Sequence, residues 1–336
     1  MDRRHFLGLA ATGAAALGAA GCEQAALMPP VQTESAVSDD AGLPTIEWQM
    51  ATSWPPDPDS TFWSAQLVAT RVAALTSGRF KIQPRAAGEL APGLEVLNVV
   101  EQGAVPIGHT VSHYYAHRGA VTAFGAGLPF GLTARQQNAW LYEGGGLKLL
   151  QEAYASRFNI IQFPTGNSGV QMGGWFNREI GSIADLDGLK MRVPGFGGKV
   201  LERLGVLTQL LAAGEIFEAL KTGAIDAAEW VGPFEDEKLK LHEAAAYYYY
   251  PGWWDPGSSI EIFINLDEWN GLPGQFREAL KTAAAEEAAF ELFDETAAAD
   301  ADFASIYKQW SAFRNAIQSW HGLAERGYLQ YVGQSR

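Results

Sequence analysis

Apolar and polar side chains alternate in Thr45-Ile46-Glu47-Trp48-Gln49-Met50-Ala51-Thr52, which puts Ile46, Trp48 and Met50 on one face. That spacing predicts a strand, closed by the turn Ser53-Trp54-Pro55-Pro56. From Phe62 to Thr76 the period changes: Leu67, Val68, Val72 and Leu75 form a helical stripe that stops at Gly78. Phe80–Pro84 reads as a second strand, Gly93–Gln102 as a second helix and Val105–Thr110 as a third strand. Strands alternating with helices predict α/β lobes. Beyond Pro273 the pattern becomes long helix, with Phe303, Ile306, Tyr307, Trp310, Phe313 and Ile317 on one face. A faint repeat lies inside the alternating part. Residues 95–105 match residues 215–225 at a constant offset of 120, each a short helix, a glycine cap and a strand. Two such units suggest two similar lobes. Open α/β sheets bind ligands at the carboxyl ends of their strands, which brings His109-Thr110 and Glu229-Trp230 toward one cleft.

The N-terminus departs from this pattern. Arg3 and Arg4 precede Phe6, Leu7 and a short Ala/Gly/Leu run, as in a twin-arginine export signal over 1–21. Ala19-Ala20-Gly21-Cys22 resembles a lipobox, so a lipid anchor on Cys22 is expected, with ordinary cleavage after Ala20 as the alternative. Residues 22–44 lack periodicity and read as a tether.

Composition narrows the function. The 336 residues include 24 basic and 38 acidic side chains, a net charge of −14, with no basic face for nucleic acid. The single cysteine, in the leader, excludes an internal disulfide, a cysteine-built metal site and a cysteine nucleophile. The longest apolar stretch is too short to span a bilayer.

Three segments could carry chemistry. In Leu189–Val200 a strand ends at Arg192, a Gly-rich turn follows, and a helix begins near Gly198. The turn lacks the spacing of a nucleotide loop, but a guanidinium beside a helix start attracts a small anion, and arginine can grip a carboxylate through two bonds. In the second, Glu229 closes an apolar strand and Asp255 follows Trp253 and Trp254. A charge there is costly unless paired or metal-bound. The two acids suit a hard cation, Na⁺ or Ca²⁺, or a glycosidase acid and nucleophile between tryptophans, or solvated loops. The third, His109-X₃-His113-X₃-His117, would align on a helix, but a strand through Thr110 scatters it.

Together these segments resemble the substrate-binding proteins of tripartite ATP-independent periplasmic (TRAP) transporters. Residues 214–230, with Gly214-Glu215-Ile216-Phe217-Glu218-Ala219-Leu220 and Gly223 to Trp230, carry the family signature, and the resemblance runs over nearly all of 45–330. Gln171–Phe176, Leu189–Arg192, Glu229–Pro233 and Tyr247–Trp254 look like the branch that binds 2-oxo and 2-hydroxy monocarboxylates such as pyruvate or lactate with a metal ion. The resemblance implies a periplasmic binding protein-like fold: two α/β lobes around a ligand cleft, with a long C-terminal helical segment at 272–320. It assigns 45–165, with parts of 256–336, to lobe 1 and 166–255 to lobe 2. It implies that Arg192 holds the ligand carboxylate in a two-bond pair and that Gln171 gives its oxygen to metal or ligand. Glu229 would ligate the metal by carboxylate, and Trp230 by its carbonyl while its ring walls the pocket. Asp255 stands where some members have Glu, leaving Na⁺ versus Ca²⁺ open. Tyr114 and Tyr115 match an aromatic pair lining the pocket from lobe 1. The implied protein is periplasmic and not an enzyme. Its partners are a small carboxylate and TRAP membrane subunits, and a homodimer through the C-terminal helix is a further expectation. An exported glycoside hydrolase using Glu229 and Asp255, and a sensor that presents ligand to a receptor, are the competing readings.

Overall fold

The computed structural model describes residues 42–56, 61–285 and Lys308. The export signal, Cys22, nearly all of the tether and the Phe303–Ile317 stripe lie outside the described residues. Of the long C-terminal segment, 274–285 is helical.

Ten strands are described: β1 (Ile46–Thr52), β2 (Phe80–Arg85), β3 (Ile107–Thr110), β4 (Ile160–Asn167), β5 (Gly174–Phe176), β6 (Lys190–Arg192), β7 (Leu207–Gln209), β8 (Ala227–Ala228), β9 (Tyr247–Tyr249) and β10 (Ser259–Asn265). They form two five-stranded sheets, ordered β2-β1-β3-β10-β4 and β7-β6-β8-β5-β9. The two share a wiring. In the first, β1 runs parallel to β2 and β3, while β10 is antiparallel to β3 and β4. In the second, β6 runs parallel to β7 and β8, while β5 is antiparallel to β8 and β9. The fold is thus two mixed α/β sheets, and the 120-residue repeat marks equivalent places in them. The helices Val96–Glu101 and Ala213–Lys221 lead into β3 and β8, the middle strands, through Gly103 (φ 69°) and Gly223 (φ 74°). A left-handed residue ends each helix and glycine adopts it without a Cβ clash.

Local physics accounts for the elements. Trp48 and Met50 are buried as the alternation predicts, and Phe80 meets Trp48 edge-on. Pro84 and Pro164 sit in strands, where a missing N–H breaks the ladder, but β2 and β4 are edge strands that tolerate it. The first helix spans Thr61–Leu75, and its buried stripe is Phe62, Ala65, Val68, Ala69 and Val72. Leu67 and Leu75, expected at its centre, are half-buried because this stripe is set one position round the helix. Burying side chains such as Val68 and Val72 fully contributes roughly 1.5–3 kcal/mol each. Phe276 of the 274–285 helix stacks on Phe80 at 5.3 Å, which ties the start of that helix to the first sheet.

Candidate ligand-binding site

A cavity of about 680 Å³ lies where the carboxyl ends of the parallel strands converge. Trp54 follows β1, Val111 follows β3, Arg192 ends β6, and Glu229 with Trp230 follow β8; all line it. Asn167 at the end of β4, Gln171 on the segment after it, and Ser258 just before β10 complete the wall.

Arg192 is buried among aromatic rings, its guanidinium carbon 5.2 Å from the Trp230 ring centroid and 6.0 Å from that of Tyr114. Nη1 donates at 2.7 Å both to Glu229 Oε2 and to the Glu229 carbonyl, and Nε donates to the Leu211 carbonyl at 3.3 Å. Nη2 is buried with no hydrogen-bond partner. Such a donor is costly to leave bare, and it is offered to an acceptor from the cavity. Gln171 supplies the complementary orphan: its Nε2 donates to Ser168 Oγ at 3.1 Å, while its Oε1 is buried without a donor.

The two acids meet here as well. Glu229 and Asp255 both border a small adjoining space of about 10 Å³, walled by Trp254 and His113. That is about the room one water-sized sphere needs. Burial pushes the Glu229 carboxyl up to about 8; Arg192 opposes the shift, and the charges of Asp255 and Asp236 reinforce it. Burial also raises Asp255 to about 6, although Ser258 Oγ and the Gly257 amide donate to it. Arg192 pairs with Glu229 alone, and burial still keeps both acids readier to hold a proton than usual, so a second positive charge beside them would stabilise their ionised forms. Among the described residues no group of three or more His, Cys, Asp and Glu side chains forms a metal cluster. The oxygens around the two spaces include the Glu229 and Asp255 carboxyls and Gln171 Oε1, groups that suit a hard cation better than a transition metal.

His109 and His113 supply no positive charge to offset these acids. His113 is held neutral, its pKa lowered to about 3 by burial and then by Arg192. His109 lies one layer beneath the cavity. Its Nδ1 accepts from Trp54 Nε1 at 2.6 Å, so Nε2 carries the proton toward Ser64 and Thr165. Thr110, next in β3, projects from the opposite face, 2.6 Å from Ser53 Oγ and 2.8 Å from the Tyr115 hydroxyl. The expectation for Tyr115 needs correcting on this point. Both tyrosines lie on the 3₁₀ turn Ser112–Tyr115, where successive side chains diverge by about a third of a turn, so only Tyr114 lines the cavity. Sequence reading weighed His113 only as part of a histidine triplet and missed Ser258; their side chains lie 3.1 Å apart beside Asp255. No motif flags Ser258.

The model of the DctP family, bacterial extracellular solute-binding protein family 7, matches residues 50–312. The chain belongs to this family. A monocarboxylate 2-oxoacid-binding periplasmic protein from Nostoc sp. is 45% identical, with all of both chains covered. A TRAP transporter solute binding protein from Bordetella bronchiseptica, crystallised with copurified calcium and picolinate, is 37% identical with a TM-score of 0.71, covering 87% of this chain and 98% of that one. A TRAP periplasmic solute binding protein from Pseudoalteromonas atlantica, with bound sodium and pyruvate, is 31% identical with a TM-score of 0.70, covering 85% and 99%. As a DctP-family member the protein is an extracytoplasmic solute receptor of the TRAP type and not an enzyme. The hydrolase reading of Glu229 and Asp255 is set aside accordingly, and Glu229 is in any case held by Arg192. No helix among the described residues is long and apolar enough to cross a membrane.

Proposed function

We propose that the cavity captures a small 2-oxo or 2-hydroxy monocarboxylate, pyruvate- or lactate-like, together with one Na⁺ or Ca²⁺, for delivery to TRAP membrane subunits. The observation that carries this is the bare Nη2 of Arg192 and the bare Oε1 of Gln171 in one cavity with Glu229, which with Asp255 also borders an adjoining space about the size of one ion. In this reading a ligand carboxylate takes Nη2 and shares Nη1, which completes the two-bond pair. The cation, held by Glu229, Asp255, Gln171 Oε1 and the Trp230 carbonyl, supplies the positive charge that Arg192 alone lacks. Tyr114 and Trp230 wall the ligand. A single arginine suits one carboxylate better than two. The ligands of the relatives support the same class: 2-oxoacids, picolinate and pyruvate, with calcium or sodium. We read the two sheets as two lobes, 45–165 with parts of 256–336 and 166–255, that close on the ligand. Calorimetry with pyruvate, lactate and succinate tests the function: binding of the first two and none of succinate is expected, and the reverse order contradicts it. For the leader we propose export by the twin-arginine route and acylation of Cys22. Cys22→Ala should then move the protein from the membrane fraction to the soluble periplasmic one, and a soluble wild type excludes the anchor.

A further inference from the structure

Asp236 is a buried carboxylate that the binding reading leaves unused. It lies on the short helix Pro233–Lys238, directly after the loop that carries Glu229 and Trp230. Its Oδ1 accepts the Val231 amide at 3.2 Å, and its Oδ2 accepts Trp175 Nε1 at 2.9 Å and the Tyr248 hydroxyl at 2.8 Å. Trp175 of β5 and Tyr248 of β9 stack on each other, ring centroids 4.1 Å apart and 14° from parallel, so both polar tips reach one acceptor. None of Asp236, Trp175 and Tyr248 lines the cavity, whereas Glu229, Trp230 and Val231 do. The carboxylate therefore grips the loop from behind.

The consequence follows from peptide geometry. Tyr250–Pro251 is the sole cis bond among the described residues, so Trp230–Val231 is trans. In a planar trans peptide the N–H and C=O point in opposite directions. With the Val231 N–H fixed on Asp236 at the rear, the Trp230 carbonyl turns toward the cavity side. Its neighbours are pinned too. The Glu229 amide donates to the Arg192 carbonyl at 3.0 Å, the Glu229 carbonyl accepts from Arg192 Nη1, and the Val231 carbonyl accepts the Met172 amide at 2.9 Å. Between these fixed groups the Trp230 carbonyl receives no donor among the described residues.

We propose that Asp236 is a positioning residue that aims the Trp230 carbonyl into the cavity as a cation ligand. The proposal rests on the cation-dependent reading of the site. The acid also adds a negative charge near Glu229, which strengthens the field a cation meets.

The test is titration of Ca²⁺, and separately of Na⁺, into the full chain at fixed pyruvate, followed by tryptophan fluorescence, with melting temperature measured in parallel. Removing a group that orients a metal ligand typically weakens the metal about 10- to 100-fold. Asp236→Ala should do so at a temperature where the variant is fully folded, and Asp236→Asn, which keeps an oxygen for the Val231 amide, should recover most of the loss. Tyr248→Phe removes one donor to Oδ2 and leaves the Val231 bond, so it should lower the melting temperature with cation affinity within about two-fold of wild type. Should the Ala variant not fold, Asp236→Leu fills the same space without an acceptor and is read the same way. A folded Ala or Leu variant with wild-type cation affinity overturns the role of Asp236, as does Tyr248→Phe losing as much affinity as Asp236→Ala. A wild type that binds pyruvate without either cation overturns the reading beneath it instead.

Discussion

The two sheets have one wiring and opposite chemistry. Where β1 ends, Thr52 spends its hydroxyl on the Arg85 carbonyl at 2.8 Å; where the equivalent β6 ends stands Arg192. After β3 comes Val111, and after the equivalent β8 comes Glu229. The first sheet has strands of four to eight residues, with neutral hydrogen-bonded groups on both faces: His109 with Trp54, Ser64 and Thr165 on one, and Thr110 with Ser53 and Tyr115 on the other. The second has strands of two or three residues and carries the buried ion pair. One topology thus builds a preformed wall and a charged grip.

The sharpest way to break this contrast is at Arg192. Arg192→Lys keeps the charge but loses the planar fork, and should weaken pyruvate binding by roughly 2–4 kcal/mol in calorimetry. Wild-type affinity in that variant would remove the guanidinium from the site. The first sheet should respond in stability and not in affinity. Glu261 is buried on β10, and burial raises its carboxyl to about 7 from 4.5. An acid with a raised folded pKa binds more protons folded than unfolded between those values. Its contribution is therefore complete below pH 4.5 and is lost as pH rises through about 7. Glu261→Gln should flatten the fall in thermal stability across that window and leave pyruvate affinity within about two-fold. A variant that melts with the wild-type pH profile would show that Glu261 is not what titrates.

Much of this was legible in the chain. The 120-residue repeat, the strand ending at Arg192 and the acid closing the apolar strand at Glu229 were all readable, because each depends on local period and on the cost of a charge in an apolar run. Three features were not. Asp236 sits in Pro233-Phe234-Glu235-Asp236-Glu237-Lys238, an acidic run that reads as a solvated helix face until β5 and β9 bring Trp175 and Tyr248 to it. Glu261 alternates with Ile260 and Ile262 as a solvent-facing residue would, yet β10 is covered on both faces. Which of Tyr114 and Tyr115 faces the ligand depends on the phase of a single 3₁₀ turn, which composition does not encode.

In the proposed site Arg192 is already paired with Glu229, and a cation beside Glu229 and Asp255 would let a ligand carboxylate join them. The direct measurement is calorimetry of pyruvate binding in choline buffer with a chelator, repeated after adding back Na⁺ alone and Ca²⁺ alone. No measurable binding is expected without a cation, and recovery is expected with one of the two. Full affinity in the cation-free buffer would contradict it, and would mean that Glu229 and Asp255 do not hold an ion.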